Sequence, residues 1–241
     1  MKSAKPHLEG VIFDMDGTII DTEQVWETAT KHLLIGYGVN LHALTAEEEA
    51  VFERLTGIGM LGAMEALKDT FKIPGISIHD MAKQQIAIVK ELFSQEISFI
   101  HGFEDFHKKL VSSGIPSSIA TNADAESLSR LAEKMNFILY FGQNIYCVAD
   151  VDNKAKPDPA LFLHAAEKIK AIPEKCIVFE DSLWGFKAAA AANMKCIAVK
   201  NKKNSDILLE HTHGHIESYL TAEEELLRVV AAYLRREREE N

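Results

Sequence analysis

The first readable pattern is an apolar run, Val11-Ile12-Phe13, that stops abruptly at Asp14-Met15-Asp16-Gly17-Thr18. Over residues 21–97 the spacing becomes helical. Val25, Ala29 and Leu33 fall on one helix face. Thr45-Ala-Glu-Glu48 spells a capping box, with helix to about residue 56. The pattern breaks at Gly57-Ile-Gly59, resumes over 60–71, turns at Pro74-Gly75 and runs again over 78–93. Beyond about residue 100, helices and short apolar strands alternate. Helices are predicted over 103–112, 123–135, 158–170 and 186–192, and strands over 117–121, 145–148, 176–179 and 196–199. Residues 137–141 form one more short apolar segment. Thr221-Ala-Glu-Glu224 is expected to cap a last helix carrying Leu226, Val230 and Leu234 on one face, with a highly charged tail over 235–241.

Alternating strands and helices predict parallel βαβ units. The expected fold class is α/β, a Rossmann-like doubly wound parallel sheet core with an inserted all-helical domain. The boundaries follow from the pattern: residues 1–20 and 99–241 for the core, and 21–98 for the helical insertion.

Composition narrows the function. The chain has 241 residues, 47% apolar and 26% charged, as in ordinary globular proteins. Its net charge of −10 argues against nucleic acid or an anionic membrane as partner, because both are polyanions. No apolar run approaches the roughly 20 residues of a membrane span, and the N-terminus lacks the apolar region of a signal peptide. The three cysteines, Cys147, Cys176 and Cys196, are far apart and form no CxxC pair. They are expected to pack as apolar residues in a reduced, cytoplasmic protein. His211, His213 and His215 lie beyond the last predicted strand and read as a solvated loop.

The chemistry gathers at strand ends. Three predicted strands stop at Asp14/Asp16, at Thr121/Asn122 and at Glu180/Asp181. Open α/β sheets bind ligands outside the carboxyl ends of their strands, so these acids are expected to converge. Clustered carboxylates repel one another. A divalent cation resolves the repulsion, and hard oxygen donors favour Mg²⁺. In Asp-x-Asp, Met15 points away while Asp16 returns to the side of Asp14. One carboxylate is then available as nucleophile and the other as general acid and base. Gly17 permits a tight turn, and Thr18 can hydrogen-bond nearby.

Four segments carry a resemblance: GVIFDMDGTIIDTE over residues 10–23, SSIAT ending at Thr121, Lys156 in KAKPDP, and VFEDSLWGFKAAAAANM over 178–194. In this order the chain resembles the haloacid dehalogenase-like hydrolase superfamily, in the branch of β-phosphoglucomutase and phosphoglycolate phosphatase with a helical cap. The resemblance implies roles. Asp14 would take the phosphoryl group as an aspartyl-phosphate, and Asp16 would protonate the leaving alcohol and then activate water. Thr121 would hold the phosphate, and Lys156 would neutralise Asp14 and the phosphate. Mg²⁺ would be held by Asp14, the Asp16 carbonyl and Asp181. Gly17, Thr18, Asn122, Glu180, Trp26 and Gly57 are expected on the substrate and phosphate side of the site.

Within that superfamily, Asp16 separates phosphatases from dehalogenases. The Asp-Lys-Thr-Gly-Thr signature of P-type ATPases is absent, and no lysine lies between Lys31 and Lys68 to serve a phosphonatase Schiff base. A hexose phosphate mutase of the β-phosphoglucomutase kind is the alternative. It needs a second anion site, yet Arg54 is the one strongly basic residue over 32–67, and Trp26 stands where such mutases typically carry a histidine. The expectation is therefore a Mg²⁺-dependent phosphatase acting on a small phosphorylated metabolite, a sugar phosphate or similar. Trp26, Met60, Met64 and the Gly57/Gly59 loop are expected to line or flank its cleft. A non-catalytic phospho-acceptor module is a third reading, but response-regulator receivers have about half this length and no such insertion. The expected state is a monomer or weak homodimer, with neither nucleic acid nor membrane as partner.

Overall fold

In the computed structural model six strands form one sheet: β1 (Gly10–Phe13), β2 (Ser117–Thr121), β3 (Ile145–Cys147), β4 (Cys176–Glu180), β5 (Lys195–Val199) and β6 (Gly214–Ile216). The structure describes residues 8–55, 59–92, 97–201, 204 and 208–239. Every strand pair is parallel, in the order β3-β2-β1-β4-β5-β6. The chain therefore winds outward in both directions from β1 and β4, the topological switch point of a doubly wound sheet.

Contacts divide the chain into two compact units, Met1–Asp21 with Ser98–Asn241, and Thr22–Ile97. The second holds α1 (Glu23–Gly36), α2 (Ala46–Arg54), α3 (Gly59–Thr70) and α4 (Ile78–Leu92). The sheet unit holds α5 (Phe103–Ser112), α6 (Ala125–Lys134), α7 (Phe137–Phe141), α8 (Ala160–Lys168), α9 (Leu183–Ala191), α10 (Leu208–His211) and α11 (Ala222–Glu239). Where the sheet unit releases and recovers the chain, its two ends pair. Ile20 bridges Phe99 antiparallel, and the Asp21 N–H donates to the Ser98 carbonyl at 3.0 Å.

Both sheet faces are covered, as a parallel sheet requires. On one face Ile12, Ala120, Val178 and Cys196 pack with Leu161 and Phe162 of α8 and Ala188 and Ala189 of α9. On the other, Phe13 stacks on Phe179 with ring centroids 5.3 Å apart, and Phe103 and Phe106 of α5 and Tyr219 close around them.

One short segment acquires an element type and two local expectations change. Residues 137–141 are helical: Phe137 and Phe141, one turn apart, are both buried, while Ile138 and Leu139 between them are exposed. Gly214–Ile216 is a strand, not a loop. It pairs with β5, and the ends of the Glu225 and Arg228 side chains of α11 lie close over Gly214. His213 is drawn into this edge, its Nδ1 accepting from the Cys196 N–H at 3.2 Å. Thr221 closes a 3₁₀ turn ahead of α11, its hydroxyl reaching back to the Ser218 carbonyl. Leu226 of α11 is buried with Val229, Val230 is partly buried, and the Leu234 side chain lies outside the described residues.

The helical unit has its own core, built on Leu33, Leu34, Val51, Met64, Leu67 and Met81. Met64, expected beside a cleft, is wholly enclosed there, because α3 turns that face toward α2 and α4. Thr45 and Glu48 form the full capping box at the start of α2. Among the described residues no helix is long and apolar enough to cross a membrane.

Candidate active site

Register builds the site. Phe13 of β1 lies level with Phe179 of β4, and the Asp14 N–H continues the ladder to the Phe179 carbonyl at 2.9 Å. Side chains alternate along a strand. Asp14 therefore continues the face of Ile12, and Glu180 that of Val178. Both carboxylates emerge at the carboxyl edge of the sheet, over the cluster that contains Phe162.

Lys156 fills the space between them. It comes from the loop ahead of α8, is almost wholly buried, and donates to Asp14 Oδ1 at 2.5 Å and to Glu180 Oε1 at 2.9 Å. Its ammonium also sits 4.6 Å from the centre of the Phe162 ring. Asn122 holds this loop in place, its side-chain oxygen accepting from the Lys156 backbone N–H at 2.9 Å. The other oxygen of Glu180 accepts from the Ser182 N–H at 2.6 Å. Gly185 leaves room for Glu180: a Cβ there would lie 1.9 Å from the carboxylate.

The Asp-Gly turn is fixed from both sides. The Met15 carbonyl accepts from the N–H groups of Thr18, Ile19 and Ile20, and Met15 itself is fully buried. Asp16 is partly buried at the head of this turn. Gly17 has φ +71°, and a Cβ on it would come within 2.3 Å of Asp181 Oδ2. Both its dihedral and its contact therefore require glycine. The buried Thr18 hydroxyl donates to Asp181 Oδ1 at 3.2 Å, and the buried Tyr219 hydroxyl donates to the Thr18 carbonyl at 3.0 Å. Thr121 ends β2 in a buried position, where its hydroxyl oxygen accepts from the Ala123 N–H at 3.1 Å.

Asp14, Glu180 and Asp181 each offer an oxygen, and these atoms lie within 4.8 Å of one another. Burial pushes the Asp14 carboxyl up, Lys156 pulls it back, and the charges of Glu180 and Asp16 add repulsion, leaving it at about 8. Asp181 is driven well above the carboxylate range by burial, then by Glu180 and Asp14, against Lys156 and the Thr18 hydrogen bond. Burial alone would lower the Lys156 ammonium, but Asp14 and Glu180 outweigh it and hold it above its usual value. Three hard oxygen donors short of positive charge suit a dication of the Mg²⁺ kind. Glu180, expected beside the phosphate, lies within this oxygen cluster as well as against Lys156.

Trp26 is a partly buried residue of α1 in the helical unit. Gly57 lies outside the described residues, as does the side chain of Arg54.

Two residues that strand-end reasoning missed also reach the site. Asn201 Nδ2 donates to Asp181 Oδ2 at 3.1 Å, and Asn204 Nδ2 donates to the Asp181 carbonyl at 2.8 Å. They follow β5, whose carboxyl end adjoins that of β4, so the same rule applied to a fourth strand would have reached them.

A family profile described as haloacid dehalogenase-like hydrolase matches residues 11–199, from the first strand to the end of β5. The chain belongs to the haloacid dehalogenase-like hydrolase family. It is 29% identical over 206 residues to a phosphorylated carbohydrates phosphatase of Thermotoga maritima, covering 84% of this chain and 91% of that one. It is 26% identical over 190 residues to the 6-phosphogluconate phosphatase of Escherichia coli, covering 78% and 80%. Among solved structures, a conserved haloacid dehalogenase-like protein of unknown function from Agrobacterium tumefaciens shares the fold, with a TM-score of 0.77, 24% identity and coverage of 94% and 99%. A member of this family with phosphatase relatives, the chain is a phosphoric monoester hydrolase.

Proposed function

We propose that this chain hydrolyses a small phosphate monoester, a sugar phosphate or similar metabolite, through an aspartyl-phosphate on Asp14 in the presence of Mg²⁺. The observation that carries the reading is the buried Lys156 ammonium, in contact with Asp14 and Glu180 at the edge where Asp181 arrives. Phosphoryl transfer is catalysed mainly by positioning and charge neutralisation, and this arrangement is suited to both.

In the first step an Asp14 carboxylate oxygen bonds to phosphorus as the bond from phosphorus to the ester oxygen breaks. The departing alkoxide takes a proton from the Asp16 carboxylic acid. In the second step water attacks phosphorus, its proton passes to the Asp16 carboxylate, and the bond to Asp14 breaks. Thr121 and the backbone N–H of the residue after it would hold the phosphate oxygens, and Lys156 would balance the charge shared by Asp14 and the phosphate. Mg²⁺, held by Asp14, Asp181 and the Asp16 carbonyl, would supply further positive charge to the phosphate. Glu180 fits best as the anchor of Lys156. The family and the all-oxygen donor set together support Mg²⁺ as the physiological ion.

The helical unit at Thr22–Ile97 is assigned the role of cap, with Trp26 and Gly57 on its substrate side. Its insertion between the paired residues Ile20 and Phe99 supports this. The sugar-phosphate class rests on the two phosphatase relatives. Three free, buried cysteines fit a cytoplasmic setting. The test is a panel of phosphate monoesters with and without Mg²⁺, run on wild type and Asp14→Asn, and assayed for free phosphate and for interconversion of hexose 1- and 6-phosphates. Mg²⁺-dependent release of phosphate that vanishes in Asp14→Asn is expected. Interconversion without net phosphate release would replace this reading with the mutase.

A further inference from the structure

Asp181 is the carboxylate of the cluster that stands outside the strand ladders, just past the end of β4. Something other than strand pairing must therefore fix it. Thr18 reaches one of its oxygens. Further support comes from the segment after β5, which none of the four sequence segments that carried the family resemblance includes.

Asn204 is 2% exposed, and its side-chain amide is fully used. Its Nδ2 donates to the Asp181 carbonyl at 2.8 Å and to the Val199 carbonyl at 2.9 Å. Its Oδ1 accepts from the Asn201 backbone N–H at 3.0 Å. Asn201 in turn donates from Nδ2 to Asp181 Oδ2 at 3.1 Å. One buried amide thus ties the backbone of Asp181 to the last residue of β5, and also sets the residue that touches the Asp181 carboxylate. Only an amide can do this. It has two hydrogens for two carbonyls and one oxygen for an N–H. An aspartate in its place would turn a carboxylate oxygen toward two carbonyl oxygens.

We propose that Asn204, acting through Asn201, is a positioning residue that holds Asp181 in the orientation needed to bind the divalent cation. The proposal rests on the reading of Asp14, Glu180 and Asp181 as a cation site. Groups that orient a ligand typically contribute about 10–100-fold to metal affinity.

The test is calorimetric titration of Mg²⁺ into the full-length, metal-free protein, wild type against Asn204→Ala, Asn204→Asp and Asn201→Ala. The Mg²⁺ dissociation constant is expected to rise about tenfold or more in both Asn204 variants, and by less in Asn201→Ala. In turnover, the Mg²⁺ concentration for half-maximal rate should rise by the same factor, while kcat at saturating Mg²⁺ stays within about threefold of wild type. A purely structural role would lower the melting temperature and leave the Mg²⁺ constant unchanged, and that result overturns the proposal. Should the Asn204 variants fail to fold, Asn201→Ala decides: an unchanged constant there overturns the proposal. If Mg²⁺ affinity falls as expected but wild type hydrolyses no phosphate ester, the proposal stands and the phosphatase reading fails.

Discussion

Two buried carboxylates, Asp14 and Glu180, share one ammonium, that of Lys156. Removing a partner from a buried ion pair commonly costs on the order of 3–5 kcal/mol, because the remaining charge is left without compensation. Lys156→Met should therefore lower stability by about that amount and reduce turnover at least about a hundredfold. Chemical denaturation and steady-state kinetics measure the two effects. A fully stable, active Lys156→Met protein would contradict the geometry. At this scale the sequence was informative about acids and weak about amides. Asp14, Glu180 and Asp181 announce themselves as charged groups directly after apolar strands. Asn122 sits in the same kind of place, but its actual bond, to the Lys156 backbone, joins residues 34 positions apart and leaves no local trace. Asn201 and Asn204 lie in a polar run that reads as an ordinary loop.

At the scale of elements, α9 must start close against the end of β4. Its N-cap Ser182 accepts from the Gly185 N–H at 3.1 Å, and Gly185 packs on the Glu180 carboxylate. Gly185→Ala would place a carbon where Glu180 stands, so the helix start or the carboxylate must move. The expected outcome is a loss of about 1–3 kcal/mol in thermal stability, as for other overpacked buried positions, together with reduced turnover as Lys156 loses its anchor. An unchanged melting curve and rate would show that the contact is not restrictive. Elements with strong periodicity or clear punctuation were legible: the central strands, the capping box at Thr45, and α8, whose first N–H bonds Asp158. Short elements were not. Five apolar residues at 137–141 fit helix or strand equally until Phe137 and Phe141 are seen to be buried on one side. Three residues at 214–216, beginning with glycine, carry no strand signal of their own, and they pair because β5 presents a free edge.

For the whole molecule, the doubly wound order brings β1, β2 and β4 side by side, and with them residues separated by more than a hundred positions. The parallel pairing followed from the alternation of strands and helices, since parallel neighbours need helical crossovers, while the order of the strands is read from the structure. The clustering of acid that results has a consequence for the metal-free protein. Asp14 is raised from 3.8 to about 8 in the folded chain, so the folded state holds its proton more tightly than the unfolded chain does. Stability present below about pH 4 is therefore lost as pH rises toward 8, and Asp181 acts in the same direction. Mg²⁺ bound by these carboxylates would remove the penalty by taking the place of the proton. Mg²⁺ at a hundredfold excess over its dissociation constant should stabilise by about 2.7 kcal/mol. The gain at a fixed Mg²⁺ concentration should be larger at pH 8 than at pH 5, as differential scanning calorimetry with and without chelator can measure. An equal gain at both pH values would contradict the shared carboxylate site. The decisive feature of the proposed reaction is the covalent bond to Asp14. Acid quenching during turnover of a phosphate monoester, followed by peptide mass mapping, should place the phosphoryl group on Asp14 and find none in Asp14→Asn. Rapid turnover with Asp14 unlabelled, or an Asp14→Asn protein that turns over like wild type, would contradict it.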